Sequence, residues 1–236
     1  MTYKEGLKDG LPIGLGYFSV SFSFGIMAVS NGLSWWQAVL ISITNLTSAG
    51  QVAGVGIMGA LGGCLEMAIT TFIINLRYAL MSISLSQKCD KSMNTFYRIL
   101  CAFFITDEIF GVSSGKDRPI NKTYMFGLAT LPFWGWTLGT LLGAVCGNIL
   151  PSIVTDSLAI GIYGMFVAIV LPVAKKSKQI AIVSIISVLL SVICFYVPFL
   201  RKHISSGFAI IICSVVAALI GAFALPYEEK KEVIDG

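Results

Sequence analysis

Residues 62–86 read GGCLEMAITTFIINLRYALMSISLS. The stretch is long and apolar enough to cross a bilayer as one helix, which takes about 20 residues. It also holds Glu66, Asn75 and Arg77. An arginine deep in a spanning helix costs about 2.5 kcal/mol or more, so it demands a partner, water or a ligand. Glu66 and Arg77 share a helix face, but the ~16 Å between them along the axis is too long for a direct ion pair. Thr71 and Asn75, four residues apart, lie near that face. Two readings follow for Arg77. Either it snorkels from near the helix end to lipid headgroups, since Lys88 closes the span, or, with Asn75, it lines a polar cavity inside a transporter.

Working outward, the whole chain has the composition of a membrane protein. Of its 236 residues 56% are hydrophobic and 12% charged, about half the charged fraction of a soluble domain. Gly10–Leu65 contains no charged residue or histidine over 56 residues. As one helix it would extend ~84 Å, so it folds back within the bilayer. The segments 123–155, 157–174, 179–200 and 204–227 are uncharged as well, with Ser157–Pro172 read as a span, Thr2–Asp9 as a charged lead-in to the first span and Glu228–Gly236 as a charged tail. The fold class expected is an all-α polytopic membrane protein of six to eight hydrophobic segments, forming a single integral membrane domain over residues 1–236. The net charge of +4 is spread in short basic clusters between spans, which fits cytoplasmic loops and not nucleic-acid binding. No cleavable signal is expected, because the first apolar run is too long and lacks a small-residue cleavage site. The six cysteines form no CxxC and mostly sit in apolar runs, so neither a zinc site nor a disulfide framework is implied.

Two segments break the pattern of simple spans. Residues 37–59 carry Asn45-Leu46-Thr47-Ser48-Ala49-Gly50-Gln51 in their middle. This reads as a broken helix or re-entrant tip whose freed backbone groups face protein or a cavity, or else as an intact helix with small packing residues. Residues 99–114 are short and contain Thr106-Asp107-Glu108. Treating both segments as re-entrant restores most of the positive-inside bias and leaves six crossings, with Arg201-Lys202-His203 as the exception. Gly139, Gly143 and Gly147 recur every four residues and make a close-packing stripe. A weak self-similarity at an offset of about 118 pairs Phe24-Gly25 with Leu142-Gly143 and sets the Ser48-Ala49-Gly50 tip opposite Phe166-Val167-Ala168, suggesting repeat halves at 10–115 and 122–227, a common transporter design.

The polar residues that could carry chemistry are few. Asp107 and Glu108 project about 100° apart on a helix, so only one faces a given partner. One is expected to meet Arg77 while the other faces water; the plainer alternative is that both cap a short segment near the surface. A carboxylate in a poorly hydrated cavity can carry a proton. There is one histidine, His203, and no Ser/His/Asp set, HExxH or phosphate-cradling loop, so an enzyme is not expected. No cofactor or metal is implied. A channel, or a membrane assembly subunit without transport activity of its own, is the alternative to a transporter.

These motifs, in this order, resemble the AzlC-type branched-chain amino-acid permeases. Gly10-Leu11-Pro12 opens the first span and Phe24-Gly25 closes its apolar core. Ser48-Ala49-Gly50-Gln51 is similar to the family's small-residue run ending in glutamine. Asn75-Leu76-Arg77-Tyr78 resembles its Asn-Leu-Arg-aromatic motif, Thr106-Asp107-Glu108 its Thr-Asp-Glu motif, and the Trp136/Gly139/Gly143 stretch fits as well. The likeness covers roughly residues 6–174, while Gln179 onward agrees only in hydropathy. Gly50 departs from the family's more usual alanine, and Glu66 has no counterpart in its pattern.

The resemblance implies a multi-pass protein of the bacterial cytoplasmic (inner) membrane that exports leucine, isoleucine and valine, with methionine as a further candidate. It implies a small AzlD-like membrane subunit as partner and a drive from the membrane potential or proton gradient. A carboxylate, an ammonium and an aliphatic side chain are what such a site must bind. Arg77 suits the carboxylate, as do the backbone N–H groups of a broken helix near Ser48, Gly50 and Gln51, with Asn75 beside them. Asp107 or Glu108 would take the ammonium or exchange it for a proton.

Overall fold

Thr2 and Glu5 begin the first helix earlier than the charge pattern suggests. Thr2 accepts from the Glu5 N–H, and the Glu5 side chain accepts from the Thr2 N–H, a reciprocal cap that satisfies two otherwise unpaired donors. The charged lead-in is therefore helical, and α1 runs over Tyr3–Ser30. The computed structural model describes residues 1–146, 167, 170–171, 174–175 and 177–224. These fall into two compact units, residues 1–164 and 165–236.

In the first unit α1 is followed by α2 (Trp35–Thr44), α3 (Ala49–Gly59), α4 (Cys64–Gln87), α5 (Thr95–Ala102), α6 (Asp107–Ser114) and α7 (Lys122–Cys146). The helices α1, α4 and α7 are long and apolar enough to span a membrane. The packing of α1 on α7 is parallel and glycine-mediated. A Cβ on Gly6, Gly10, Gly14 or Gly25 would strike the α7 backbone between Tyr124 and Ala144, and one on Gly127, Gly135, Gly139 or Gly143 would strike α1 between Tyr3 and Phe22. Small residues on both sides let two backbones approach closely, the commonest way to hold helices together where lipid supplies no hydrophobic drive. The expected stripe at Gly139 and Gly143 is thus half of a two-sided seam; Gly147 lies outside the described residues.

The direction of each remaining element follows from its partners along this seam. Asn121 donates to the Met1 carbonyl at 2.8 Å, Lys116 pairs with Asp9 at 2.7 Å, and Lys88 donates to the Ser114 carbonyl. The starts of α1 and α7 and the ends of α4 and α6 therefore share one end. There Asp90 accepts from the hydroxyl and N–H of Ser92, bonds that hold its carboxyl below the usual range, the hydroxyl contributing most. At the other end Gly59 packs against Asn31. Consequently α4 runs antiparallel to α1 and α7.

The two interrupted segments are re-entrant hairpins. α2 descends from the Asn31 end, where Trp35 and Trp36 are exposed, to Leu46, which packs on Tyr17 and Trp136 in mid-helix. α3 then climbs back to Gly59. From the opposite end α5 rises from Thr95 to Phe104, also on that mid-helix cluster, and α6 returns to Ser114. Each hairpin enters from the end where the preceding long helix finished. The order of long helix then hairpin thus occurs twice, α1–α2–α3 and α4–α5–α6, in opposite directions.

The second unit contains α8 (Lys178–Tyr196), α9 (Pro198–His203) and α10 (Ser206–Ala224). α8 and α10 pack as an antiparallel pair, with Gly221 against Val183 and Cys213 against Cys194. Pro198, lacking an N–H, starts α9 after α8 ends. The expected span at 157–172 and the 228–236 tail lie largely or wholly outside the described residues, as does most of the segment at 166–168 expected to mirror the Ser48 tip. The division at 164/165 does not coincide with the repeat halves read from self-similarity.

The seam makes a direct prediction. Gly143→Ala drives a methyl into the Phe22 carbonyl and lowers stability by about 1–3 kcal/mol, the range for overpacking. Gly16→Ala, with nothing within 4 Å of its new Cβ, does not lower the thermal midpoint of the purified protein and, by removing a mid-helix glycine, raises it slightly.

Candidate functional site

The two hairpin tips approach the middle of α4, and Arg77 stands between them. It lies thirteen residues from Cys64 and ten from Gln87, at the centre of the span and far from the reach of headgroups. That position favours a partner within the protein over snorkelling. Its Nη2 pairs with Asp107 Oδ2 at 2.9 Å. Both side chains are partly exposed, 39% for Arg77 and 24% for Asp107, so the pair borders open space and is not sealed in the core. Nη2 also donates to Tyr78 Oη at 3.3 Å, and Tyr78 donates to the Thr47 carbonyl at 3.3 Å. A continuous polar chain thus runs from the upper tip through α4 to the lower tip. Arg77 Nε is buried and makes no hydrogen bond among the described residues.

The lower tip is set by Thr106. Its hydroxyl accepts from the Ile109 N–H and caps α6. This places Asp107 and Glu108 in the first turn, where the helix dipole favours negative charge. The acids do cap a short segment, but at mid-depth and not near the surface. Glu108, only partly buried, is the acid that does not pair with Arg77. It is hydrogen-bonded by Tyr17 of α1, whose hydroxyl also lies 2.6 Å from Thr106 Oγ1. Tyr17 is buried, with its ring edge-on to Trp136 at a centroid distance of 5.3 Å.

The upper tip is built differently. Asn45 Oδ1 accepts from the N–H and hydroxyl of Thr47, an Asx turn that reverses the chain. Ser48 follows with φ of 47°, a left-handed conformation uncommon for a residue with a side chain. Gln51 is 2% exposed and points back at α2. Its Nε2 donates to the Ile41 and Asn45 carbonyls, the first of which also accepts from the Asn45 N–H that closes α2. Its Oε1 is buried and makes no hydrogen bond among the described residues. At Gly50 a Cβ would lie 2.9 Å from both amide atoms of Asn75, so the glycine is what lets that amide rest on the first turn of α3.

Of the residues singled out from sequence, the structure joins Arg77 to Asp107 and Asn75 to Gly50. It does not make Asn75 and Arg77 one pair: two positions apart on a helix, they face different hairpins. Gln51 braces its own hairpin. Glu66 sits in the first turn of α4 near Gly62, remote from Arg77 as the spacing requires. Sequence reasoning missed Tyr17, Tyr78 and Thr47. A tyrosine in the middle of an uncharged span, where its hydroxyl needs a partner, was the signal for Tyr17. A groove of about 470 Å³ between α4 and α5, lined by Leu85, Met93, Ile99 and Arg98, lies at the charged end and not at the pair.

This is a polytopic α-helical membrane protein with two opposed re-entrant hairpins meeting at a charged centre. The chain belongs to the AzlC protein family, whose model matches residues 12–150. It is 27% identical over 230 residues to the inner membrane protein YgaZ of Escherichia coli, covering 94% of this chain and 91% of that one. An uncharacterized membrane protein of Archaeoglobus fulgidus is 29% identical over 184 residues, 77% of this chain and 80% of the other. One from Helicobacter pylori is 24% identical over 151 residues, 62% and 65% of the two chains. No solved structure matches the chain significantly.

The lower tip predicts its own stability. Thr106→Ala removes the cap and costs about 1 kcal/mol. Tyr17→Phe leaves Glu108 without its donor and costs more, about 1–3 kcal/mol. Chemical denaturation of the detergent-solubilised protein should rank them in that order.

Proposed function

We propose that this protein is a secondary transporter that exports branched-chain amino acids, leucine, isoleucine and valine with methionine overlapping, across the bacterial cytoplasmic membrane. The observation that carries this reading is the Arg77–Asp107 pair at mid-depth, bordered by open space where two helices are broken. Charges at that depth are expensive and mark substrate or ion pathways, and discontinuous helices are how many transporters build their sites. Arg77 would receive the substrate carboxylate and Asp107 its ammonium. Gly50, Asn75 and the start of α3 would border the site, with Ser48 at its edge. Phe104 and Leu46 would contact the aliphatic side chain. A pocket that rewards apolar bulk separates such side chains by only about 1–3 kcal/mol per methylene, so the substrates should overlap.

Orientation follows from charge. Lys4, Lys8, Lys88, Lys91, Arg98, Lys116, Arg118 and Lys122 gather at one end of the first unit, whereas loops 31–34 and 60–63 carry no charge. The positive-inside tendency makes the basic end cytoplasmic. The apolar stripe of Leu65, Phe72, Leu76 and Leu80 on α4 is exposed and would meet lipid or the small AzlD-like partner subunit. Proton coupling would run through Glu108. The Tyr17 hydroxyl can donate to its carboxylate or accept from its neutral acid, so the contact survives both protonation states.

Leucine export from exporter-deficient cells tests the transport reading. Arg77→Lys keeps the charge but loses the planar fork. Export should fall about tenfold or more at equal membrane abundance, the size of a lost charge-assisted hydrogen bond; full activity would overturn the role of Arg77. In leucine-loaded liposomes under a pH gradient, Glu108→Gln should abolish pH-driven flux yet spare leucine exchange. Wild-type flux indifferent to the gradient would remove the proton from the mechanism.

A further inference from the structure

We propose that Asp107 is the resting occupant of the carboxylate site on Arg77, so that the empty carrier holds an internal copy of its substrate's two charges and only a ligand bearing both charges can split it. The proposal rests on the transport reading above and specifies how that site is closed and opened.

Three observations support it. First, the pair is monodentate. Arg77 Nη2 serves both Asp107 and Tyr78, while Nε, the other arm of the same fork, is buried without a partner among the described residues. A guanidinium binds carboxylate best through two parallel N–H donors. Asp107, held in the first turn of α6 by the Thr106 cap, reaches only one, whereas a free carboxylate can take both. Second, the pair joins separate bodies. Asp107 belongs to the α5–α6 hairpin and Arg77 to α4, and α4 is bonded through Tyr78 to Thr47 of the other hairpin. Opening the pair therefore frees one tip from the helix that ties it to the other. Third, the neighbouring acid is not available as a substitute, because Glu108 is engaged by Tyr17 on the α1 side.

The chemistry of opening then selects the ligand. A carboxylate alone would displace Asp107 and leave it an unpaired anion at mid-depth. An ammonium alone would leave Arg77 an unpaired cation. Each outcome is heavily penalised in a poorly hydrated site. A zwitterion replaces one ion pair with two and strands no charge. The feature recognised is thus an α-amino acid with both groups free, whatever its side chain.

Competition for bound radiolabelled leucine, with the full-length protein in nanodiscs, tests this. The probes are leucine, leucinamide, which lacks the carboxylate, and 4-methylpentanoate, which lacks the ammonium. On wild type both analogues should bind more weakly than leucine by about tenfold or more, the size of a lost charge-assisted hydrogen bond. Asp107→Asn removes the competing anion. Measured by its thermal stabilisation of each protein, 4-methylpentanoate should bind Asp107→Asn about tenfold more tightly than it binds wild type. Leucine should lose its advantage over 4-methylpentanoate in the same variant. A merely structural role for Asp107 would shift both ligands in parallel. The proposal is overturned if either analogue rivals leucine on wild type, an arm that needs no variant. It is also overturned if 4-methylpentanoate gains nothing on Asp107→Asn while leucine is bound and transported normally. Failure of wild type to bind or export leucine at all would overturn the transport reading, and this proposal with it.

Discussion

A full positive charge at the centre of a membrane-spanning helix is the constraint on which the first unit depends. Arg77 is about as far from either end of α4 as the helix allows, so it needs a partner at its own depth. The chain answers by bringing a carboxylate to the same depth on a different segment. A carboxylate can reach mid-depth on a segment that enters and leaves by the same side only if the helix is interrupted there. The α5–α6 hairpin, the Thr106 cap and the placement of Asp107 in the first turn of α6 are thus consequences of where Arg77 sits.

Interrupting a helix inside a bilayer raises a second problem, since every freed backbone group needs a partner within the protein. The two tips solve it with different residues. At the lower tip the Thr106 hydroxyl caps α6. At the upper tip Asn45 reverses the chain, the Gln51 amide covers carbonyls at the end of α2, and Tyr78 reaches the Thr47 carbonyl. Both tips also require a rigid backing. The glycine seam between α1 and α7 supplies it, and Tyr17 and Trp136 form the mid-depth surface on which Leu46 and Phe104 rest.

The two opposed hairpins reach the pair from opposite ends of the first unit. The parallel pairing of α1 with α7 lies outside that arrangement. Its register places Gly25 beside Thr140–Ala144, close to the offset at which the sequence resembles itself. The two long helices form matching faces of one seam, while the order of long helix then hairpin links α1–α2–α3 to α4–α5–α6 in opposite directions.

The sequence alone determined the membrane class, the α4 span nearly to the residue, the two segments where an interruption could fall and the motifs that carry Arg77 and Asp107. These are properties of local composition: apolar length sets a span, and a polar or small-residue break within it marks a weak point. Partnership is different. Spacing placed Asn75 beside Arg77 and left open which of Asp107 and Glu108 meets it; the structure turns Asn75 to Gly50, pairs Asp107 with Arg77 and hands Glu108 to Tyr17 of a helix some ninety residues away. The charged lead-in was read as separate from α1 because charge marks the membrane boundary, whereas the Thr2–Glu5 cap sets the helix start. Only the tertiary structure decided which way each hairpin runs, because direction depends on contacts distant in sequence, and a polar residue at mid-depth takes whichever partner the packing of the long helices brings within reach.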